Sequence, residues 1–304
     1  MRRYKSQSNR DVSIASQNLN ALDSKQARLF ESRKALLCEL AYSICGGGKC
    51  SEDEIRENYL SALPCDADSK DYFSAISTPE KIDVCREINR LSYVKSSFYE
   101  SVLGPSESCD ESARGRVAYV KNNFTSSAYL IFSKLIPSPR CAYFDSFDLI
   151  CEDVHSGESE FCILPVETST DGKLISFYSM IDRYELKILS ICTVEHPGGS
   201  NFTKFALLGR SLKFPSAEST SGLKFELRIS QSLSDDTYIS QIICAADVCG
   251  VALRRINSMP LPYSDSMISY YAVFDLNRSD LKTFLTYLTL ECPQCYAMGI
   301  YFEN

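Results

Sequence analysis

Long apolar runs are missing from this 304-residue sequence. No stretch approaches the roughly 20 apolar residues that a membrane-spanning helix needs, so no membrane partner is expected. The basic opening Met1-Arg2-Arg3-Tyr4-Lys5 is followed by polar residues where a secretory leader would be apolar, and a cytoplasmic protein is the expectation. Histidine is scarce, with His155 and His196 the only two. A structural zinc site needs four ligands, so no metal is expected, and no cofactor. An excess of positive charge is missing as well: 32 Lys and Arg face 39 Asp and Glu, for a net −7 and a pI near 5.1. Phosphate backbones demand clustered cations, so no nucleic-acid partner is expected.

What is present is the composition of a folded chain, 44% hydrophobic and 23% charged, long enough for two or three modules. Fourteen cysteines would suit a disulfide scaffold only in a short secreted chain. Most of them sit in apolar runs, as Cys38, Cys162, Cys192 and Cys244 do, where a reduced thiol packs as a small hydrophobe. Cys292-Pro-Gln-Cys295 has redox-motif spacing but follows a helical run instead of opening one. Cys45-Gly-Gly-Gly-Lys-Cys50 resembles a metal loop without the further ligands. Both pairs read as ordinary thiols.

Three regimes follow one another. Residues 12–103 are helical in character, 114–212 alternate strands and helices, and 223–304 form a compact α+β unit. In the first, Leu19, Leu22, Ala27, Leu29, Phe30, Ala35, Leu36, Leu40 and Ala41 recur at near-helical spacing until Gly46-Gly47-Gly48 stops the run. Ser51-Glu52-Asp53-Glu54 predicts a capped second helix, and Thr78-Pro79-Glu80 opens a third that runs to about 103. Residues 61–77 read as a loop and 104–115 as a linker. The second regime predicts a strand at 116–120, a helix near 125–135, a buried strand at 161–166, a helix at 174–183 and strands near 186–194 and 204–209. Such alternation implies a mixed α/β sheet. The third predicts strand 223–230, helix 235–249, strands 251–257 and 269–276, helix 279–290 and strand 296–302, the β-α-β-β-α-β order of ferredoxin-like units.

Several segments carry a resemblance to one known family. Pro165-Val166-Glu167-Thr168-Ser169-Thr170-Asp171-Gly172 resembles the Pro-Ile-Glu-Asn-Thr/Ser-x-x-Gly signature of prephenate dehydratases. Asn201-Phe202-Thr203-Lys204-Phe205 resembles their Asn-x-Thr-Arg-Phe. Asn257-Ser258-Met259-Pro260 stands where an ACT domain carries Glu-Ser-Arg-Pro. At the other end, Leu19 to Lys25 and Glu31-Ser32-Arg33-Lys34 are similar to the helical, AroQ type of chorismate mutase. In this order the modules resemble the bifunctional chorismate mutase–prephenate dehydratases of phenylalanine biosynthesis, which turn chorismate into prephenate and prephenate into phenylpyruvate. The resemblance implies a multidomain α, α/β and α+β chain. Mutase-like helices would span 12–103, a truncated dehydratase-like domain 114–212 and a ferredoxin-like ACT domain 223–304, in a homodimer.

By the same resemblance Thr203 would protonate the hydroxyl that leaves prephenate as carbon dioxide departs, with Glu167 and Ser126 lining the cleft. Arg33, Asp53 and Arg56 would hold chorismate, and Ser258 and Pro260 an L-phenylalanine effector. The sequence also departs from the family. Ser16 and Ile44 stand where the mutases carry cations, which removes a dicarboxylate clamp. Thr168 replaces an asparagine, Lys121-Asn122-Asn123 replaces a glycine-rich turn, and Tyr238 occupies a helix start that is otherwise small. The largest departure is the stretch from Val194 to Ser200, which fills a gap where the family inserts a whole second lobe. Two functions therefore stand side by side. One is a divergent enzyme making phenylpyruvate. The other is a non-catalytic pseudoenzyme, a regulatory or structural ACT-domain partner, in which Thr203 is a plain strand residue and Arg33 and Arg56 are solvated helix-face charges.

Overall fold

The computed structural model describes residues 2–47, 50–62, 76–91, 111–199, 201–212, 222–232, 237–261, 264–276, 279–292 and 294–303. The chain divides into two compact units, Met1–Val94 and Lys95–Asn304. No described helix is long and apolar enough to cross a membrane.

The first unit holds helices α1 (Arg2–Ile44), α2 (Glu52–Ala62) and α3 (Thr78–Leu91). The starts of α2 and α3 follow the sequence signals. The Ser51 backbone N–H donates to Glu54 Oε2 at 2.7 Å, and that of Ser77 donates to Glu80 Oε2 at 2.9 Å. Each bond satisfies a donor that the first helical turn leaves open. Ile44, Ile55, Tyr59, Ile82, Cys85 and Ile88 are buried between the three helices. Along α1, by contrast, Leu19, Leu22, Leu29, Phe30 and Leu36 stay 60–65% exposed. Residues 92–103 of the expected third helix and most of the expected loop 61–77 and linker 104–115 lie outside the described residues.

The second unit is built on one mixed sheet of ten strands among the described residues. These are β1 (Arg116–Val120), β2 (Arg140–Phe144), β3 (Phe161–Thr168), β4 (Gly172–Lys173), β5 (Lys187–Glu195), β6 (Phe202–Gly209), β7 (Leu223–Ser232), β8 (Ala252–Leu261), β9 (Ser264–Asp275) and β10 (Cys295–Phe302). They lie in the order β2-β1-β3-β6-β5-β10-β7-β9-β8, with β4 paired to β3. The helices are α4 (Asn123–Phe132), α5 (Phe147–His155), α6 (Ile175–Arg183), α7 (Thr237–Val248) and α8 (Leu281–Glu291). Strands β2, β1 and β3 are parallel, joined through α4 and α5, and β3, β6 and β5 are antiparallel neighbours. The last four strands pair as β10-β7-β9-β8, all antiparallel. With α7 and α8 they complete the β-α-β-β-α-β order expected from the sequence.

The faces of the sheet follow the two-residue period of a strand. On β3 and β6, Ile163, Phe205 and Leu207 point into a core with Ala128 and Phe132 of α4. The alternate residues Cys162, Leu164, Ala206 and Leu208 point the other way, into a core with Ile150 of α5 and Phe177 and Ile181 of α6. That second core continues to Tyr271, Met298 and Tyr301, so α6 also covers part of the last four strands. The sheet is continuous across β5 and β10, where Gly299 lies opposite Ile188. A Cβ on Gly299 would fall 2.6 Å from both Cβ and O of Ile188, so only glycine lets the strands come this close. Sequence reading missed β2 and α5. The first is a largely exposed edge strand, Arg-Cys-Ala-Tyr-Phe. The second spans nine residues, buries only Ile150, Cys151 and Val154, and is too short to show a clear period.

Candidate active site

The two segments singled out by sequence lie side by side. Thr168 of β3 is the register partner of Thr203 of β6, Glu167 of Lys204, and Pro165 of Phe205. Both reach the carboxyl end of the parallel strands, next to the turn between β1 and α4. The chain leaves β1 toward α4 on one face and leaves β3 toward α6 on the other. Such a divergence opens a crevice beyond the strand ends, the usual ligand position in open α/β sheets.

Thr203 is the centre of this region. It is 7% exposed, and its Oγ1 lies 2.9 Å from His196 Nε2. The imidazole stacks on Phe124 in the first turn of α4, with ring centroids 4.2 Å apart and planes at 25°. The β5–β6 connection holds His196 in place: its N–H donates to Asn201 O at 2.8 Å and its carbonyl accepts from Gly199 N at 3.1 Å. Gly198 and Gly199 adopt φ of 106° and 73°, a left-handed geometry that other residues resist. The neighbouring loop is pinned to β6, since Ser169 N donates to Phe202 O and Phe202 N donates to Ser169 Oγ. Thr168 Oγ1 donates to Asp171 Oδ2 at 2.9 Å and accepts from Asp171 N, which closes the turn on itself.

Ser126 lies in the same first turn of α4 as Phe124, half-buried, with its N–H bound to Asn122 O. Asn122 caps this helix. Its Oδ1 accepts from Phe124 N and Thr125 N, and Thr125 Oγ1 accepts from Asn122 N. The N–H groups that would otherwise receive an anion are thereby satisfied from within the chain.

Glu167 faces the other side of the sheet. Its Oε2 lies 3.7 Å from Arg255 Nη1 on β8, and its field reaches Lys173. Lys173 belongs to a buried network that sequence reasoning did not find. Glu226 of β7, 1% exposed, accepts the Tyr178 hydroxyl on Oε1 at 2.7 Å and the Tyr301 hydroxyl on Oε2 at 2.6 Å. Lys173 Nζ lies 3.5 Å from Glu226 Oε1 and also contacts the Tyr178 hydroxyl. Burial pushes the Lys173 ammonium below the usual lysine range, while Glu226 partly restores it. Burial likewise drives both tyrosine hydroxyls far above their ordinary range. The structure therefore gathers Thr203 with His196, Phe124 and the turn carrying Ser126, and places Glu167 elsewhere. The signal for His196 was the Glu-His-Pro-Gly-Gly turn between two strands, read only for its shortness.

In the N-terminal unit, Arg33 forms a two-pronged pair with Glu80 of α3. That guanidinium hydrogen bond, first among the causes, holds the Glu80 carboxyl down at about 2. Asp53 is exposed on α2 and Arg56 half-buried there. Among the described residues no hydrogen bond or ion pair joins these two to Arg33. Ser258 is exposed on β8 opposite Tyr270, and Pro260 keeps register with Ile268. The side chain of Tyr238, at the start of α7, lies outside the described residues. Cys292 and Cys295 are both buried. Burial, and then the neighbouring Cys50, pushes the Cys45 thiol up to about 11, away from the reactive thiolate.

No family model matches the chain, and neither does any curated protein. Among solved structures it is similar to the prephenate dehydratase of Streptococcus mutans, at 19% identity over 62% of this chain and 98% of that one, with a TM-score of 0.49. It is similar at the same TM-score to the prephenate dehydratase of Arthrobacter aurescens in complex with L-Phe, at 14% identity over 62% of this chain and 90% of that one. GqqA, described as a novel type of quorum quenching acylase, reaches 18% identity over 62% and 95%, again with a TM-score of 0.49. Likeness of this size fixes neither family nor activity.

Proposed function

We propose that the chain is a divergent prephenate dehydratase of aromatic amino-acid biosynthesis, with Thr203 as the acid that protonates the departing hydroxyl. One observation carries the reading. The two segments that resemble dehydratase signatures are far apart in sequence, yet they pair across β3 and β6 at the crevice end of the sheet, with one bulge between Pro165 and Glu167. The β-α-β-β-α-β arrangement of the last four strands supports an ACT-like regulatory unit, with phenylalanine as its effector near Ser258 and Pro260. Chorismate mutase activity is the weaker part of the reading, because Arg33 is already engaged by Glu80. The apolar stripe along α1 supports a homodimer in which a second copy covers it.

The alternative reading, a non-catalytic regulatory or structural partner, is favoured by the β5–β6 hairpin. Strand β5 pairs directly with β6 up to Glu195 and Phe202, so among the described residues of this unit no second wall closes the crevice to water. Incubation with prephenate, following phenylpyruvate by absorbance, separates the two. Turnover that disappears in Thr203→Val supports the lyase. A folded chain that leaves prephenate unchanged supports the partner.

A further inference from the structure

We propose that His196 is the positioning residue for Thr203: in its protonated form it donates from Nε2 to Thr203 Oγ1, aims the hydroxyl hydrogen into the crevice and replaces the proton given up there. The inference deepens the lyase reading and rests on it.

An aliphatic hydroxyl is a poor acid on its own and has no direction beyond its free rotation about the C–O bond. A donor held at hydrogen-bond distance corrects both faults, since it occupies a lone pair of the oxygen and stabilises the charge that develops as the proton leaves. His196 meets the geometric requirement at 2.9 Å. Its ring is fixed by the stack on Phe124, and its backbone by hydrogen bonds to Asn201 and from Gly199. The imidazole is thus pre-set from three directions, while Thr203 itself is held by the sheet on both sides, opposite Thr168 and Val194. The hairpin that delivers the ring stands where the resembling family inserts its second lobe, so the contact belongs to this chain's own shortened connection.

The step balances without a co-reactant. The bond from the ring carbon to the departing carboxylate breaks and its electron pair enters the ring, releasing carbon dioxide. The ring C–O bond breaks with its pair on oxygen, which takes the Thr203 proton and leaves as water. Thr203 takes the Nε2 proton, and the neutral imidazole is reprotonated by solvent. No group is oxidised or reduced from outside.

The test combines a resting-state and a kinetic measurement. In 15N-labelled full-length protein, Thr203→Val should move the ring resonances of His196. His155, whose Nδ1 lies 3.0 Å from Tyr184 O, should stay unmoved as the internal reference. With prephenate, His196→Ala should lower kcat by about 10²- to 10⁴-fold, the usual contribution of a positioned acid–base group, with little change in KM. Added imidazole should restore part of that loss, which a merely structural role would not allow. His196→Gln, which preserves bulk and the backbone bonds of the turn, serves if the alanine variant does not fold, and should lose kcat likewise. Unmoved His196 resonances in Thr203→Val would overturn the proposal whatever the activity. So would wild-type kcat in either His196 variant. If the resonances move but the wild-type chain forms no phenylpyruvate, the lyase reading fails and takes the positioning role with it, while the pairing stands.

Discussion

Replacing Glu226 with leucine should remove much of the stability of the second unit. The carboxylate is 1% exposed and accepts one hydroxyl on each oxygen, from Tyr178 and Tyr301. Those tyrosines are each 1% exposed, so neither hydroxyl has water as a substitute partner. A buried donor left without an acceptor costs about 1–3 kcal/mol, and two are orphaned here. Lys173, whose side chain is 11% exposed, also loses its nearby countercharge. Removing one member of a buried pair costs about 3–5 kcal/mol, reduced here because burial already eases release of the lysine proton. The contributions overlap, and a total of about 4–6 kcal/mol is expected, a large share of the 5–15 kcal/mol that holds an ordinary domain. Glu226→Gln keeps the volume and one acceptor, and should cost roughly half as much. Urea unfolding followed by circular dichroism measures both, with Tyr178→Phe and Tyr301→Phe to separate the two hydrogen bonds. A leucine variant within about 1 kcal/mol of the parent would refute the reasoning, because apolar substitution would then compensate the whole network.

Three further outcomes are expected. Gly299→Val forces a side chain into the 2.6 Å gap against Ile188 and should cost about 2 kcal/mol or more, read as a drop in Tm; an unchanged Tm would show that the β5–β10 contact can open freely. Leu22, Leu29 and Leu36 repeat every seven residues along α1 and are 63% exposed, so in the proposed dimer Leu29→Glu should shift sedimentation to monomer, whereas a parent already monomeric or a variant still dimeric would refute an interface on this stripe. Glu80 has a depressed carboxyl at about 2 against an ordinary 4.5, so its contribution is complete above pH 4.5 and is lost as pH falls through 2. The N-terminal unit should therefore lose Tm more steeply over that window than Glu80→Gln does, though modestly because Arg33 is half exposed; equal slopes would disprove the linkage.

Much of this architecture was legible in the sequence because it is written locally. Ser51 with Glu54 is a capping box, a three-residue signal, and Pro79 marks the start of α3. Strand β3 announces itself by its apolar run from Phe161 to Val166, and the last six elements by their order. Strand β2 and α5 were hidden because their burial is partial. The site was legible only in part. Thr203 and Thr168 sit in recognisable segments, but their adjacency is a matter of register, which no single segment encodes. Strict alternation from Ile163 would put Glu167 on the Thr203 face, but the bulge between Pro165 and Glu167 turns it to the other. The Glu226 network was invisible because its members come from β4, α6, β7 and β10, each an unremarkable polar residue until the sheet closes.

The junction of β5 with β10 has a consequence for how the chain folds. It is a parallel contact made by Ile188 with Gly299 and Ile191 with Glu303, supported by Lys187 reaching the carbonyl of Ala297, 110 residues away. Among the described residues, every other pairing in the sheet joins strands closer in sequence. Loop-closure entropy makes so distant a contact the most costly to form. The two halves of the sheet should therefore mature separately and dock last, and until they do each carries a bare strand edge, β5 on one and β10 on the other. Those edges are ready templates for a wrong partner, so recovery on refolding should fall with protein concentration and with any change that delays the seam.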